Sequence, residues 1–140
     1  FAKEIKIISV VREPIQRNIS AFFQDAEKVV DKNTNHTFEM IKDSFDENCI
    51  KDAPFKWFDN ELKKYFSIDV YDSYFDKERG YSIIKKGNIS VMVIKIEKMS
   101  GLEKEIGRFL EIENFEIQNH NIGTKKWYSD IYKDFSNKLK

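Results

Sequence analysis

The chain has 140 residues, 41% hydrophobic and 14% aromatic, with 24 basic side chains against 24 acidic ones. That length suits one domain around one core, and the apolar content rules out a disordered chain. Zero net charge removes any global electrostatic case for nucleic acid, and apolar runs such as Ile89–Ile96 fall far short of the roughly 20 residues that span a bilayer.

Residues 4–11 (EIKIISVV) form a β-branched apolar run without strict alternation, which predicts a strand buried on both faces and therefore parallel. Pro14 suits a first helical turn, so a helix is expected from Pro14 to about Val30, with Ile15, Ile19, Phe22, Phe23, Ala26 and Val30 on one face. After the polar stretch 31–36, the spacing of Phe38, Ile41 and Phe45 predicts a second helix. Phe55, Phe58, Leu62 and Phe66 predict a third. Gly80 and the pair Gly87-Asn88 bracket two strands of a hairpin, residues 81–85 and 89–96. Ser100 and Glu103 form a capping-box signature ahead of Leu102, Ile106, Phe109 and Leu110. Thr124 is expected to cap the last helix, whose stripe is Trp127, Ile131, Phe135 and Leu139. The order of elements gives an α/β class, a short and partly parallel sheet with flanking helices, with no internal repeat and no linker long enough to divide residues 1–140.

Two of the four arginines, Arg12 and Arg17, stand in residues 11–23 (VREPIQRNISAFF). Arg12 falls where a strand ends and a helix begins, the place where open α/β sheets put ligands, and a helix start offers unpaired N–H groups to an anion. Arg17 and Ser20, three apart, share a helix face, so Arg12, Arg17 and Ser20 form a candidate phosphate site. The competing reading pairs Arg12 with Glu13 or another carboxylate and leaves Ser20 as helix surface.

The pattern Arg12-Glu13-Pro14-x-x-Arg17-x-x-Ser20-x-Phe22 resembles the 3′-phosphate motif of sulfotransferases that use 3′-phosphoadenosine-5′-phosphosulfate (PAPS). The resemblance implies Arg12 and Ser20 as ligands of the 3′-phosphate, Arg17 in support and Phe22 in packing. Residues 91–99 (VMVIKIEKM) and the helix after them look like the late strand and helix of the same fold. Residues 125–129 (KKWYS), with residues 68–71 upstream, resemble a bacterial branch of capsular polysaccharide synthesis proteins marked by Asn-Lys-Trp-Tyr-Ser; here Lys125 stands in place of the Asn. These resemblances imply the C-terminal part of a P-loop-like sulfotransferase fold, sulfuryl transfer from PAPS to a glycan hydroxyl, PAP as product and no metal. In that family a late basic, glycine-containing loop closes over the 3′-phosphate. Residues 121–129 (NIGTKKWYS) fill that description, so Lys125 and Lys126 are expected to supplement Arg12 from a helix start, with Trp127 anchored by burial.

The family also needs a 5′-phosphosulfate loop ahead of this motif. With Phe rather than Met first, the sequence reads as a fragment that lacks that loop and its catalytic base, and that is inactive alone. The only basic glycine turn downstream, Lys85-Lys86-Gly87-Asn88, reads as a hairpin reversal. The alternative function is a non-catalytic nucleotide- or phosphoglycan-binding module that keeps only the 3′-phosphate site.

Other chemistry-bearing residues have plainer readings. His36 and His120 are read as solvated loop histidines, too far apart for a local metal pair. Asp59, Glu61, Asp69 and Glu97 are read as exposed acids, and Trp57 and Trp127 as core rather than a sugar-stacking platform. A lone Cys49 allows no internal disulfide, reads as a small buried side chain and fits a cytoplasmic location. No nucleic acid and no transmembrane segment are expected.

Overall fold

A computed structural model describes residues 3–49, 52–120 and 123–139. Among these no helix is long and apolar enough to cross a membrane. The chain forms two compact units, one made of Phe1–Arg12 and Lys56–Gln118, the other of Glu13–Phe55 and Asn119–Lys140.

The first unit is built on a three-stranded sheet of β1 (Ile5–Val11), β2 (Tyr81–Lys86) and β3 (Ile89–Lys95) in the order β1-β3-β2. β1 runs parallel to β3, with Ile5 opposite Ile89 and Val11 opposite Lys95, and β2 runs antiparallel to it, with Tyr81 opposite Ile94. The class expected from the sequence is therefore the class observed, α/β with a partly parallel sheet. The expectation of burial on both faces belongs to a different strand. β1 is an edge whose Ile5 and Val10 are more than 40% exposed, whereas Val91–Ile94 of β3 are at most 2% exposed. A strand paired on both sides and covered on both faces is the one that reads as a continuous apolar run.

Alternation along β3 sorts its side chains onto two cores. Val91 and Val93 cluster with Phe58, Leu62 and Ile68, while Met92 and Ile94 cluster with Leu102, Ile106 and Phe109. The first cluster is supplied by a helical segment that begins as α4 (Ala53–Phe58), widens into a π-helical turn (Asp59–Lys63) and finishes as α5 (Lys64–Phe66). It stops where Ser67 adopts a left-handed φ of 55°, letting the N–H groups of Ser67 and Ile68 bond back to the carbonyls of Lys63 and Leu62.

The second cluster is supplied by α6 (Glu103–Leu110). Ser100 does not cap it. Residues Ile96–Gly101 wind into a 3₁₀ helix, so Leu102 becomes the residue before α6, with no side-chain cap. At its other end Ile112 N–H donates to Gly107 C=O and Glu111 N–H to Arg108 C=O, the two bonds of a Schellman motif, with Glu111 at φ 60°. A Cβ at Gly107 would lie 2.8 Å from the Ile112 carbonyl oxygen. Gly107→Ala should therefore lower the thermal midpoint, although Ala is ordinarily the better helix former by about 1 kcal/mol. A raised midpoint in differential scanning calorimetry would count against that close approach.

The hairpin forms as expected, with Gly87 at φ 59° opening the two-residue turn between β2 and β3. Lys86 Nζ donates to the Ser67 carbonyl at 2.6 Å, and Asn88 Nδ2 donates to the Lys3 carbonyl at 2.9 Å. Lys85-Lys86-Gly87-Asn88 is thus a reversal whose polar groups serve the fold.

The second unit is helical: α1 (Pro14–Gln24), α2 (Ala26–Val29), α3 (Phe38–Asn48) and α7 (Ser129–Lys138). The single helix expected from Pro14 to Val30 breaks at Asp25, yet its stripe holds: Ile19, Phe22, Phe23, Ala26 and Val30 are buried with Ile41, Phe45 and Phe135. Ile15 alone leaves the stripe, at 51% exposed. Thr37 caps α3, its side chain accepting from Met40 N–H at 3.3 Å. Thr124 caps nothing, because Gly123–Lys125 form a 3₁₀ turn and Tyr128 precedes α7. Cys49 is half-buried against this core rather than fully enclosed.

Candidate functional site

Arg12 follows the last residue of β1, in the first unit; Arg17 and Ser20 lie on α1, in the second. The motif therefore spans the junction of the two units along the chain. Between its arginines stands the residue that decides what the start of α1 can offer. Glu13 has extended backbone angles, and its carboxylate accepts from Ile15 N–H at 3.1 Å and Gln16 N–H at 2.8 Å. Its carbonyl takes Arg17 N–H at 2.9 Å, and Pro14 has no N–H to offer. The unpaired helix-start donors expected from the sequence are thus already satisfied, by a negative group that the helix dipole itself favours. Any anion held near this motif would rely on side chains.

Those side chains differ in exposure. Arg17 is exposed, with one Nη donating to Asn18 Oδ1 at 3.2 Å, and Ser20 is half-buried three residues along the same helix. Arg12 is half-buried. Lys125 and Lys126 are exposed, but in and just after the 3₁₀ turn rather than at a helix start. The Lys126 carbonyl accepts Ser129 N–H at 3.1 Å, where α7 begins. Residues 121 and 122 of that stretch lie outside the described residues. Trp127 is not anchored by burial: it is 37% exposed, with the Lys32 ammonium 5.2 Å from its ring centroid.

His36 Nε2 contacts the Asp31 carbonyl and lies 3.3 Å from Thr34 Oγ1, so its ring is engaged within its own loop. His120 is exposed. Asp69 is a structural acid: it meets Lys63 Nζ at 2.6 Å and accepts from the N–H groups of Tyr71 and Asp72. The Lys63 ammonium, hydrogen-bonded to it, holds its carboxyl below the usual range, and the two backbone donors add to that. Burial, with Asp59 nearby, pushes the Tyr71 phenol up.

Trp57 overturns its reading altogether. It is 55% exposed, as Tyr65 is at 65%, while the stripe beside them buries Phe58 and Leu62. Glu61 sits between the two aromatics in the chain, and its carboxylate has no hydrogen-bond or ion-pair partner among the described residues. The signal was in the spacing, since Trp57, Glu61 and Tyr65 are four apart and step off the Phe58-Leu62-Phe66 stripe.

The family model NKWYS, described as "Putative capsular polysaccharide synthesis protein", matches residues 27–140. The match takes in residues 125–129 and leaves Arg12, Arg17 and Ser20 ahead of it. No curated protein and no solved structure matches the chain.

Proposed function

The chain belongs to this family of capsular polysaccharide synthesis proteins, and from that premise we propose that it carries the 3′-phosphate part of a site that transfers a sulfuryl group from PAPS to a hydroxyl of a glycan. The supporting observation is the order Arg12-Glu13-Pro14-x-x-Arg17-x-x-Ser20, laid across the end of a parallel strand and the start of a helix. In this reading Arg12 and Ser20 bind the 3′-phosphate, Arg17 supports them, and Lys125 and Lys126 add positive charge. Glu13 occupies the first-turn N–H groups, so recognition falls to guanidinium and hydroxyl, which suit a phosphate geometrically.

The reaction needs position and charge more than covalent help from the protein. The acceptor oxygen forms a bond to sulfur as the bridging bond from sulfur to the 5′-phosphate oxygen breaks. The electron pair leaves with PAP, and the acceptor proton passes to a general base.

Calorimetry with PAP tests the phosphate site. A charge-assisted hydrogen bond contributes roughly 1.5 to 3 kcal/mol, so Arg12→Ala should weaken PAP about tenfold or more, and Ser20→Ala by less. Equal affinity for PAP and for adenosine 5′-phosphate would refute the assignment. Residues 1–140 alone should not transfer labelled sulfate from PAPS to a capsular glycan; transfer would mean that the chain holds a phosphosulfate site of its own.

A further inference from the structure

In the first unit, an open trough of about 610 Å³ lies between the strand β1 and the helical segment from α4 to α5. Ile7, Ile8 and Ser9 line it from the strand, and Trp57, Glu61 and Tyr65 from the helix. Among the described residues β1 pairs only with β3, so the trough lies along a free sheet edge. Its volume falls within the about 300–1,000 Å³ typical of small-ligand sites.

We propose that this trough binds a neutral segment of the glycan, with the rings of Trp57 and Tyr65 as stacking platforms and the Glu61 carboxylate as acceptor for sugar hydroxyls. The inference rests on the reading that the chain acts on a glycan, and it adds where the sugar sits. Exposed indole and phenol rings beside a sheet edge leave apolar surface in water that a flat, weakly polar partner would cover. A pyranose is such a partner, with C–H groups on its faces and hydroxyls on its rim. The lining also carries matching rim chemistry: the Trp57 Nε1–H donor, the Tyr65 hydroxyl, and in Glu61 a carboxylate with unused acceptor capacity.

Charge narrows the occupant further. Glu61 is the only charged side chain in the lining, and it is negative. A nucleotide or a sulfated segment would meet repulsion there, so the trough suits the uncharged part of an acceptor, apart from the basic residues assigned to PAPS. Lys64 lies outside the lining, 5.1 Å from the Tyr65 ring centroid, where it adds a cation–π contact.

The π turn accounts for the alignment. In a regular α-helix, side chains four apart drift by about 40° per step. The wider turn at Asp59–Lys63 falls between Trp57 and Tyr65 and holds Glu61, which reduces that drift and keeps all three residues on the trough. Single π turns inside α-helices recur at functional sites for this kind of re-aiming.

The test uses the 140-residue chain with three neutral probes, cellohexaose, maltohexaose and chitohexaose, and one anionic probe, a heparin hexasaccharide. In a Trp127→Phe background, Trp57 is the only tryptophan and its emission reports the trough directly. At least one neutral probe should shift that emission with a Kd below about 10 mM. By calorimetry in the native background, Trp57→Ala should weaken that probe about tenfold and Glu61→Gln several-fold, with the circular dichroism spectrum retained. Lys104→Ala, exposed on α6 and outside the lining, should leave it unchanged. The proposal is overturned if none of the neutral probes binds, if Trp57→Ala and Glu61→Gln both bind normally, or if heparin binds more tightly. Neutral-glycan binding without PAP binding would retire the sulfotransferase reading and keep the trough; PAP binding without glycan binding would do the reverse.

Discussion

Phe135→Ala should cost the second unit about 3–5 kcal/mol, the range for removing a buried aromatic ring. Phe135 is 1% exposed on α7 and joins an aromatic cluster, with ring centroids 5.9 Å from Phe23, 5.5 Å from Phe38 and 5.5 Å from Phe45. Phe23 and Phe45 meet it edge to face, the arrangement that the ring quadrupole favours, and each such pair adds about 0.5–1.5 kcal/mol beyond burial. Truncation removes these contacts together and leaves a cavity that rings held by α1 and α3 cannot fill without shifting. A whole domain is stable by only about 5–15 kcal/mol, so the loss is large on that scale. Phe38→Ala makes the control, because Phe38 is half-buried and keeps only one of these ring contacts, so its cost should be clearly smaller. Urea unfolding followed by near-ultraviolet circular dichroism reads both, and a Phe135→Ala cost under about 1.5 kcal/mol would sink the idea that this ring is integral to the core.

The helices of this unit were legible because a stripe of large apolar residues survives any local rearrangement. Phe22, Phe23, Phe45 and Phe135 fell on the predicted faces and are the core. Helix ends were legible only in part. Thr37, which the sequence reading did not single out, caps α3, whereas Ser100 and Thr124 carry capping signatures and the chain winds into 3₁₀ turns at both. A capping residue states a preference for where a helix begins; packing of the first turn decides whether that preference is used.

Along residues 12–20, the sequence pattern showed the arginines and hid the role of the acid between them. Glu is not a favoured cap, so pattern alone makes it a partner for Arg12 or leaves it unassigned. Pro14 changes the outcome, since its fixed φ starts the helix at once and brings the Ile15 and Gln16 N–H groups under the Glu13 carboxylate. Trp57 escapes sequence reasoning for another reason. Its helical spacing reads as core, yet Trp57 stands one step off the Phe58-Leu62-Phe66 stripe, so the same spacing also puts it on a neighbouring face.

Ile94→Ala should cost the first unit about 2–5 kcal/mol, and it tests which strand holds that unit together. From the sequence, residues 4–11 read as the strand buried on both faces and residues 89–96 as a hairpin strand, because strand order depends on pairings far apart in the chain. Ile94 is 0% exposed in β3, lies opposite Val10 on one side and Tyr81 on the other, and packs with Leu102, Ile106 and Phe109. Deleting its branches opens a void between sheet and α6 while both ladders remain to hold the walls apart, which is the condition for a large cavity cost. Val10→Ala, in register with it on β1 and 44% exposed, should cost well under half as much. If both variants lose the same stability in urea, β1 is buried to a like degree and the edge assignment fails. The effect should also reach function: β1 is held among the described strands by β3 alone and ends one residue before Arg12, so Ile94→Ala should weaken PAP under conditions where the protein is still folded. Val10→Ala should not.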